Sequence, residues 1–230
     1  MRIALVMFSA ALMLTAGSPG FASGGGMMRQ NAPPPSQQPR QQTPVQQAVE
    51  VYNDGVRLVK KADKAQEAAG AASDAGKKDK QTKEAQDKYT AALAKFQQAV
   101  QIDPTAHEAW NFVGYTNRKL GHYSEALAAY DKALTLKPGY PEALEYRGEA
   151  YLGLDHIPDA KQAYLDLYAG DRKLADKLLT AMKSWVAAQR AAPGGAPSGV
   201  DDFDHWIQER AQISAQTAML TRAGTAASWR

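Results

Sequence analysis

The chain has 230 residues and a formal net charge of +3 at pH 7. That length allows a sizeable core in one or two domains, and the charge is too mild and too evenly spread to point to nucleic acid. There is no cysteine, which excludes disulfides, thiol nucleophiles and thiolate metal ligands together.

The N-terminus reads MRIALVMFSAALMLTAGSPGFAS. Arg2 precedes an apolar run over residues 3–16, helix breakers follow at Gly17, Pro19 and Gly20, and small residues stand at Gly20 and Ala22. This is the layout of a secretory signal over residues 1–22, cut after Ala22. The run falls short of the ~20 residues that a spanning helix needs, so cleavage is expected, with no stable membrane insertion afterwards. No cysteine follows it to carry a lipoprotein anchor. The expected location is the bacterial periplasm, or outside the cell. Residues 23–47, SGGGMMRQNAPPPSQQPRQQTPVQQ, are dominated by Pro, Gln and Gly. So little apolar surface cannot offset the entropy of ordering, and a disordered tether is expected.

Residues 48–106 contain two helical stretches. The first lies in VQQAVEVYNDGVRLVKKADKAQEAA and carries Gly55. The second, over residues 81–102, carries Ala92, Phe96 and Ala99 ahead of Pro104. The same residue types return 34 positions later at Ala126, Tyr130, Ala133 and Pro138. They return again at Ala160, Tyr164 and Leu167, with Arg172 in place of the proline. Upstream, Trp110, Gly114 and Asn117 match Leu144, Gly148 and Tyr151.

Apolar residues within each copy recur at helical spacing, as Phe112, Val113 and Leu120 do, and then Leu127, Tyr130 and Leu134. Each copy therefore reads as two helices joined by a short turn. Small Gly114 and Ala126 let the helices approach closely, and Tyr130 fills the gap beside them. Ala133 leaves room for the next copy, and Pro138 ends the second helix. One pair cannot bury both of its faces, so copies 107–140 and 141–174 are expected to stack with the irregular copy 48–106. Gly114 to Ala126 spans 12 positions, whereas Gly55 to Ala92 spans 37. The 25 additional residues imply two lengthened helices that protrude beyond the stack. The Lys-rich residues 77–83 then read as a solvated helix start at their tip.

Gly170 and Asp171 read as a helix stop and an N-cap, opening a capping helix over residues 172–192. Leu178, Ala181 and Trp185 hold first-helix positions there, but Met182 stands where a glycine is needed, so no close partner helix is expected. Residues 193–200 form a Gly/Pro linker. Residues 201–222 form an amphipathic helix, followed by a tail over 223–230. In that helix Phe203, Trp206, Arg210, Ile213, Thr217 and Leu220 make a narrow seam at steps of 3 and 4. Two readings stay open: the helix folds back onto the stack, or it docks on another chain or plugs the groove. In the second case Phe203, Trp206, Ile213 and Leu220 are the docking residues.

Nothing in the sequence calls for catalysis, a cofactor or a metal. Gly24, Gly25 and Gly26 precede no helix, and there is no HExxH. His122 and His156 stand 34 apart, each in the turn between paired helices, and read as solvated turn residues repeated with the repeat. Asp201, Asp202 and Asp204 complement the positive end of the helix they begin.

The pattern of Trp110, Val113, Gly114, Ala126, Tyr130, Ala133 and Pro138 resembles the tetratricopeptide repeat family, with Asn117 in place of the usual aromatic. The resemblance implies an all-α, right-handed solenoid of about three helix pairs plus a capping helix. It also implies a concave groove lined by first helices. Carried over position by position, that groove comprises Glu108, Asn111, Tyr115, Arg118 and Lys119, then Glu142, Glu145, Glu149 and Leu152. The irregular copy adds Val49, Tyr52, Val56 and Val59. Members with a carboxylate clamp use Lys, Arg and Asn there, whereas Glu142, Glu145 and Glu149 on one face repel a carboxylate. A protein or peptide partner with apolar and basic residues is the expectation. The implied role is a non-catalytic scaffold or adaptor in the bacterial envelope. The alternative is an accessory subunit of an envelope enzyme or secretion complex, docking through its C-terminal helix.

Overall fold

The computed structural model describes residues 43–194 and 197–227, with side chains described as far as residue 220. The expected signal, and the expected tether up to residue 42, lie outside the described residues. So do residues 195 and 196 of the linker and 228–230 of the tail. Among the described residues there are eight helices and no strand. They are α1 (Pro44–Ala71), α2 (Ala75–Ile102), α3 (His107–Lys119), α4 (Tyr123–Leu136), α5 (Pro141–Gly153), α6 (Ile157–Gly170), α7 (Arg172–Ala191) and α8 (Val200–Ala227).

The helix starts follow local chemistry. α1 begins inside the stretch expected as tether because Thr43 and Gln46 close a capping box and Pro44 takes the first position. Asp74 caps α2 through the Lys77 amide, and Asp171 caps α7 through the Leu174 amide. α4 stops at Leu136, two residues short of Pro138, and Gly139 takes a φ of +75° before Tyr140 leads into α5. Such a backbone suits glycine, which has no Cβ to strain. His122 and His156 occupy matching N-cap positions with nearly identical backbone angles and stay exposed.

Successive helices pack on one another from α1 to α8, and α3, α5 and α7 also lie side by side. The result is a helical repeat solenoid with these helices on one face and α2, α4 and α6 behind. The contact that sets the spacing within a pair is glycine against an aromatic ring. A Cβ on Gly114 would overlap the Tyr130 ring, and one on Gly55 would come within 2.7 Å of Phe96. Gly148 serves the next interface instead, with Leu178 of α7 and Ala163 seated over it. Tyr89, Phe96, Tyr130 and Tyr164 are fully buried. Each contributes roughly 1.5–3 kcal/mol by leaving water. Asn117 is buried where the repeat favours an aromatic, and its amide donates to the Val113 carbonyl.

α1 and α2 have 28 residues each, against 13 or 14 for α3 to α6. At 1.5 Å per residue that is about 42 Å against about 20 Å, so the first pair overhangs the stack. Where the overhang leaves the stack, Ala62 and Ala65 of α1 pack with Ala85 and Tyr89 of α2, against Tyr115 and Leu120.

At the other end, the expectation that Met182 leaves α7 without a partner is overturned. α8 packs on α7 through Val200, Phe203 and Ile207, all buried in one cluster with Met182. An unbranched methionine adapts its shape to the rings and branched chains brought by α8, so a glycine is not required. Arg190 near the end of α7 pairs with Asp201 and Asp204 and fastens the start of α8.

Candidate functional site

The face formed by α3, α5 and α7, extended by α1, carries a run of aromatic rings. Tyr52 of α1 meets Phe112 of α3 edge-on at 5.6 Å, Phe112 meets Tyr115 at 6.0 Å, and Tyr115 meets Tyr146 of α5 at 5.0 Å. Their edges are held by charge. Asp63 of α1 accepts from the Tyr89 hydroxyl at 2.5 Å and from the Tyr115 hydroxyl at 2.7 Å, tying α1, α2 and α3 together. Burial, and then the Asp63 carboxylate, pushes both phenols up, so both remain protonated donors.

Arg118 lies with its guanidinium carbon 5.3 Å from the centroids of both Tyr115 and Tyr146 and pairs with Glu149. Lys177 of α7 stands 4.9 Å from the Tyr146 centroid and donates to Glu145 at 3.0 Å. Lys119 approaches the rings of Tyr89 and Tyr115 at 5.7 Å and forms no ion pair among the described residues. Burial, then the neighbouring Arg118, lowers its pKa.

Of the residues read from the sequence as the groove, Glu108 and Glu142 are exposed in the first turns of α3 and α5. Asn111 is buried, with its Oδ1 unpartnered. Tyr115, Arg118, Lys119, Glu145 and Glu149 come together in the cluster just described. The acidic end expected of this groove is corrected. Glu145 has no solvent exposure, and both it and Glu149 are answered by cations from the flanking helices. The reason is the stacking of α3, α5 and α7 side by side, which turns a face that looks solvated on one helix into an interface between three.

The two carboxyls settle into different states. Burial, and then Glu149, raises the Glu145 carboxyl from 4.5 to about 8. Burial is the largest influence on Glu149 and pushes it up, but Arg118, the hydrogen bond with Glu145, Lys177 and Lys119 together outweigh it and hold that carboxyl below its ordinary value. As a carboxylate, Glu145 would leave Oε1 buried without a donor. Protonated, it donates to Glu149. At neutral pH the pair therefore shares one proton, and three cations face two anions, Asp63 and Glu149.

Sequence reasoning missed Asp63, Tyr89, Tyr146 and Lys177. Lys177 sits 34 positions after Ala143, at a site the other copies fill with buried alanine, so the register concealed it. Asp63 lies in the lengthened helix, where the register is lost.

The docking set on the C-terminal helix divides in two. Phe203 is buried and Trp206 half-buried, in contact with Trp185 and Tyr164 of the stack. They belong to the protein's own core, so of the two open readings these residues follow the one in which the helix folds back onto the stack. Ile213 and Leu220 remain exposed.

Among the described residues no helix is long and apolar enough to cross a membrane, and no three His, Asp or Glu gather as a metal site. The family model described as tetratricopeptide repeat matches residues 81–141 and 114–175, from α2 through α6. Comparison with curated proteins finds no match.

Proposed function

The chain belongs to the tetratricopeptide repeat family across residues 81–175, and from that premise we propose that it is a non-catalytic scaffold or adaptor acting in the bacterial envelope. Tetratricopeptide repeats mediate protein–protein interaction, and stacked helix pairs of this kind present an extended concave face for it. The observation that carries the reading is the run of Tyr52, Phe112, Tyr115 and Tyr146 across three helices, with Arg118 set between two of the rings. Aromatic rings pinned at their edges give a partner large apolar contact at little entropic cost.

The partner is a peptide or helix segment with apolar residues. The basic preference expected from the sequence loses the support of Glu145 and Glu149, which are engaged internally, while Glu108 and Glu142 stay exposed in the first turns of α3 and α5. Beside the rings Lys119 is the cation left without an ion pair among the described residues, and an acidic group suits that spot. The envelope location rests on the apolar run behind Arg2 and the small residues before Ser23. The same reading makes an accessory-subunit role depend on this face rather than on Phe203 and Trp206.

The test is site-specific photo-crosslinking in cells. A photoreactive residue at Lys119 is expected to capture a discrete partner, and one at Lys132 on α4 is not. Equal capture at both positions, or at neither, overturns the assignment of the face. N-terminal sequencing of the chain from the periplasmic fraction is expected to begin at Ser23.

A further inference from the structure

Between the first two helix pairs, beside the aromatic face, lies a recess of about 360 Å³. Ala48, Val49 and Tyr52 of α1, Ala99 of α2, and Ala106 and Ala109 at the start of α3 supply its apolar wall. Tyr52 is held there edge-on against Phe96 and Phe112, each at 5.6 Å. Val49 is 52% exposed. The charged residues lining the recess are Asp103 and Glu108, and no lysine or arginine joins them.

The next junction of the stack shows what this one lacks. The 34-residue repeat puts Lys137, Tyr140, Glu142 and Ala143 where this junction has Asp103, Ala106, Glu108 and Ala109. Counted from the paired glycines, Gly55 and Gly114, His107 stands where α1 has Ala48. His107 and Tyr140 meet edge-on at 5.0 Å, and the Lys137 ammonium lies 4.6 Å from the Tyr140 centroid. One junction further, Leu174 takes the place of Tyr140 and packs on the core. Two alanines therefore leave open at the first junction the volume that two rings fill at the second. The charge is reversed as well. Asp103 accepts from the Thr105 hydroxyl at 2.7 Å and the Thr105 amide at 2.9 Å, and these bonds hold its carboxyl below the ordinary value, so it stays ionised. Glu108 is exposed, its Oε2 lying 3.1 Å from Nδ1 of His107.

We propose that this recess receives a large apolar side chain from a partner protein, with a lysine or arginine beside it that faces Asp103 and Glu108. Tyr140 and Lys137 are the chain's own version of that occupant, built in at the second junction and left to the partner at the first. The apolar wall selects the anchor, and the two carboxylates select its basic neighbour. Lys119 follows Glu108 by 11 positions, on the same helical face and about 16 Å along it. The partner thus crosses the face with its basic end at the recess and its acidic end at Lys119. The assignment rests on the groove reading and adds residue class and orientation to it.

Selection of short random peptides, displayed on phage, against the purified full chain tests it. Wild type is expected to enrich peptides with a large apolar residue close to lysine or arginine. Glu108→Lys, selected in parallel, is expected to enrich acidic neighbours instead. A selected peptide, measured alone by fluorescence polarisation, is expected to bind Val49→Ser and Glu108→Gln roughly two- to tenfold more weakly. Both positions are exposed, so helicity by circular dichroism is expected to be unchanged. Ala106→Tyr fills the recess as Tyr140 fills the next, both residues being N-caps with φ of −71° and −61°, and is expected to abolish binding. Peptides that bind Ala106→Tyr as tightly as wild type, or that keep basic neighbours on Glu108→Lys, overturn the proposal, as does a selection that enriches nothing. In each case crosslinking at Lys119 still decides the groove reading by itself. A dimer in sedimentation velocity that Ala106→Tyr dissolves assigns the recess to a second copy and overturns the proposal. Peptide binding that appears only after residues 23–42 are removed assigns it to the chain's own N-terminal segment and equally overturns it.

Discussion

Lys177 of α7 holds its Nζ 3.0 Å from Oε2 of Glu145, a carboxyl on α5 with no solvent exposure. The contact spans 32 residues of sequence and joins the capping helix to the last full repeat. Cation and carboxyl meet beside the Tyr146 ring, so the same contact that fastens α7 also frames the proposed binding face.

The protonation of Glu145 makes stability depend on pH in a stated direction. Its carboxyl is raised from 4.5 to about 8 in the folded chain. The folded state therefore binds this proton more tightly than the unfolded state does. The stability that follows is complete below 4.5 and is lost as the pH rises through about 8. Glu149 is displaced the other way; its contribution is present above 4.5 and is lost as the pH falls. Replacement of Glu145 by glutamine keeps the shape and removes the titration. Thermal melts of wild type are expected to fall between about pH 5 and about pH 8 and to level off above that, and those of Glu145→Gln to stay level across the same window. Parallel declines would exclude this carboxyl as the source.

Asp63 is expected to act as a tie between three helices rather than as a surface charge. Replacing it by alanine leaves the Tyr89 and Tyr115 hydroxyls without their acceptor. The cost is about 2–6 kcal/mol, since each of the two donors left unmade costs about 1–3. Tyr115→Phe removes one donor together with its requirement and is expected to cost about 1 kcal/mol. Urea unfolding followed by circular dichroism measures both, and equal costs would mean that Asp63 matters through only one tyrosine.

The glycines separate into those that carry the repeat and those that do not. Gly114 faces the Tyr130 ring with no room for a Cβ, so Gly114→Ala is expected to destabilise by about 1–3 kcal/mol through overpacking. Gly70 sits in the last turn of α1 with nothing within 4 Å of an added Cβ. There alanine is expected to stabilise by roughly 0.5–1 kcal/mol, through helix propensity alone. The two substitutions are chemically identical, so opposite shifts in urea midpoint isolate packing from propensity. A destabilised Gly70→Ala would place an unseen neighbour against the overhang.

How much of this was legible in the sequence depends on whether the controlling contact is local. Gly114 and Tyr130 are 16 residues apart in one helix pair, and their sizes alone encode the fit. Gly55 and Phe96 obey the same rule across a longer excursion, because lengthening both helices equally preserves the glycine-to-ring contact. The burial of Glu145 was not legible. It depends on Lys177 and on Arg118, from helices on either side, and a helical wheel of α5 alone reads the position as solvated. α8 marks a finer limit. A seam of 3 and 4 steps was read through Phe203, Trp206 and Arg210, whereas the buried side chains are Val200, Phe203 and Ile207. Both sets share Phe203 and the same period; what chooses between them is the position of Trp185 and Met182 on the facing helix, which periodicity does not contain.

That division of α8 yields a contrast between its halves. Phe203 is fully buried, 5.8 Å from Trp185 and in the same cluster as Met182 and Leu178. Phe203→Ala removes a large side chain from a filled core and is expected to cost about 3–5 kcal/mol. In a unit of this size that lowers Tm by roughly 6–20 °C. Leu220, on the same helix and 73% exposed, is expected to change the Tm of the monomer by less than the equivalent of about 0.5 kcal/mol when replaced by alanine. If the two substitutions cost the same, α8 is not anchored through its inner half, and the core of the last repeat is drawn wrongly.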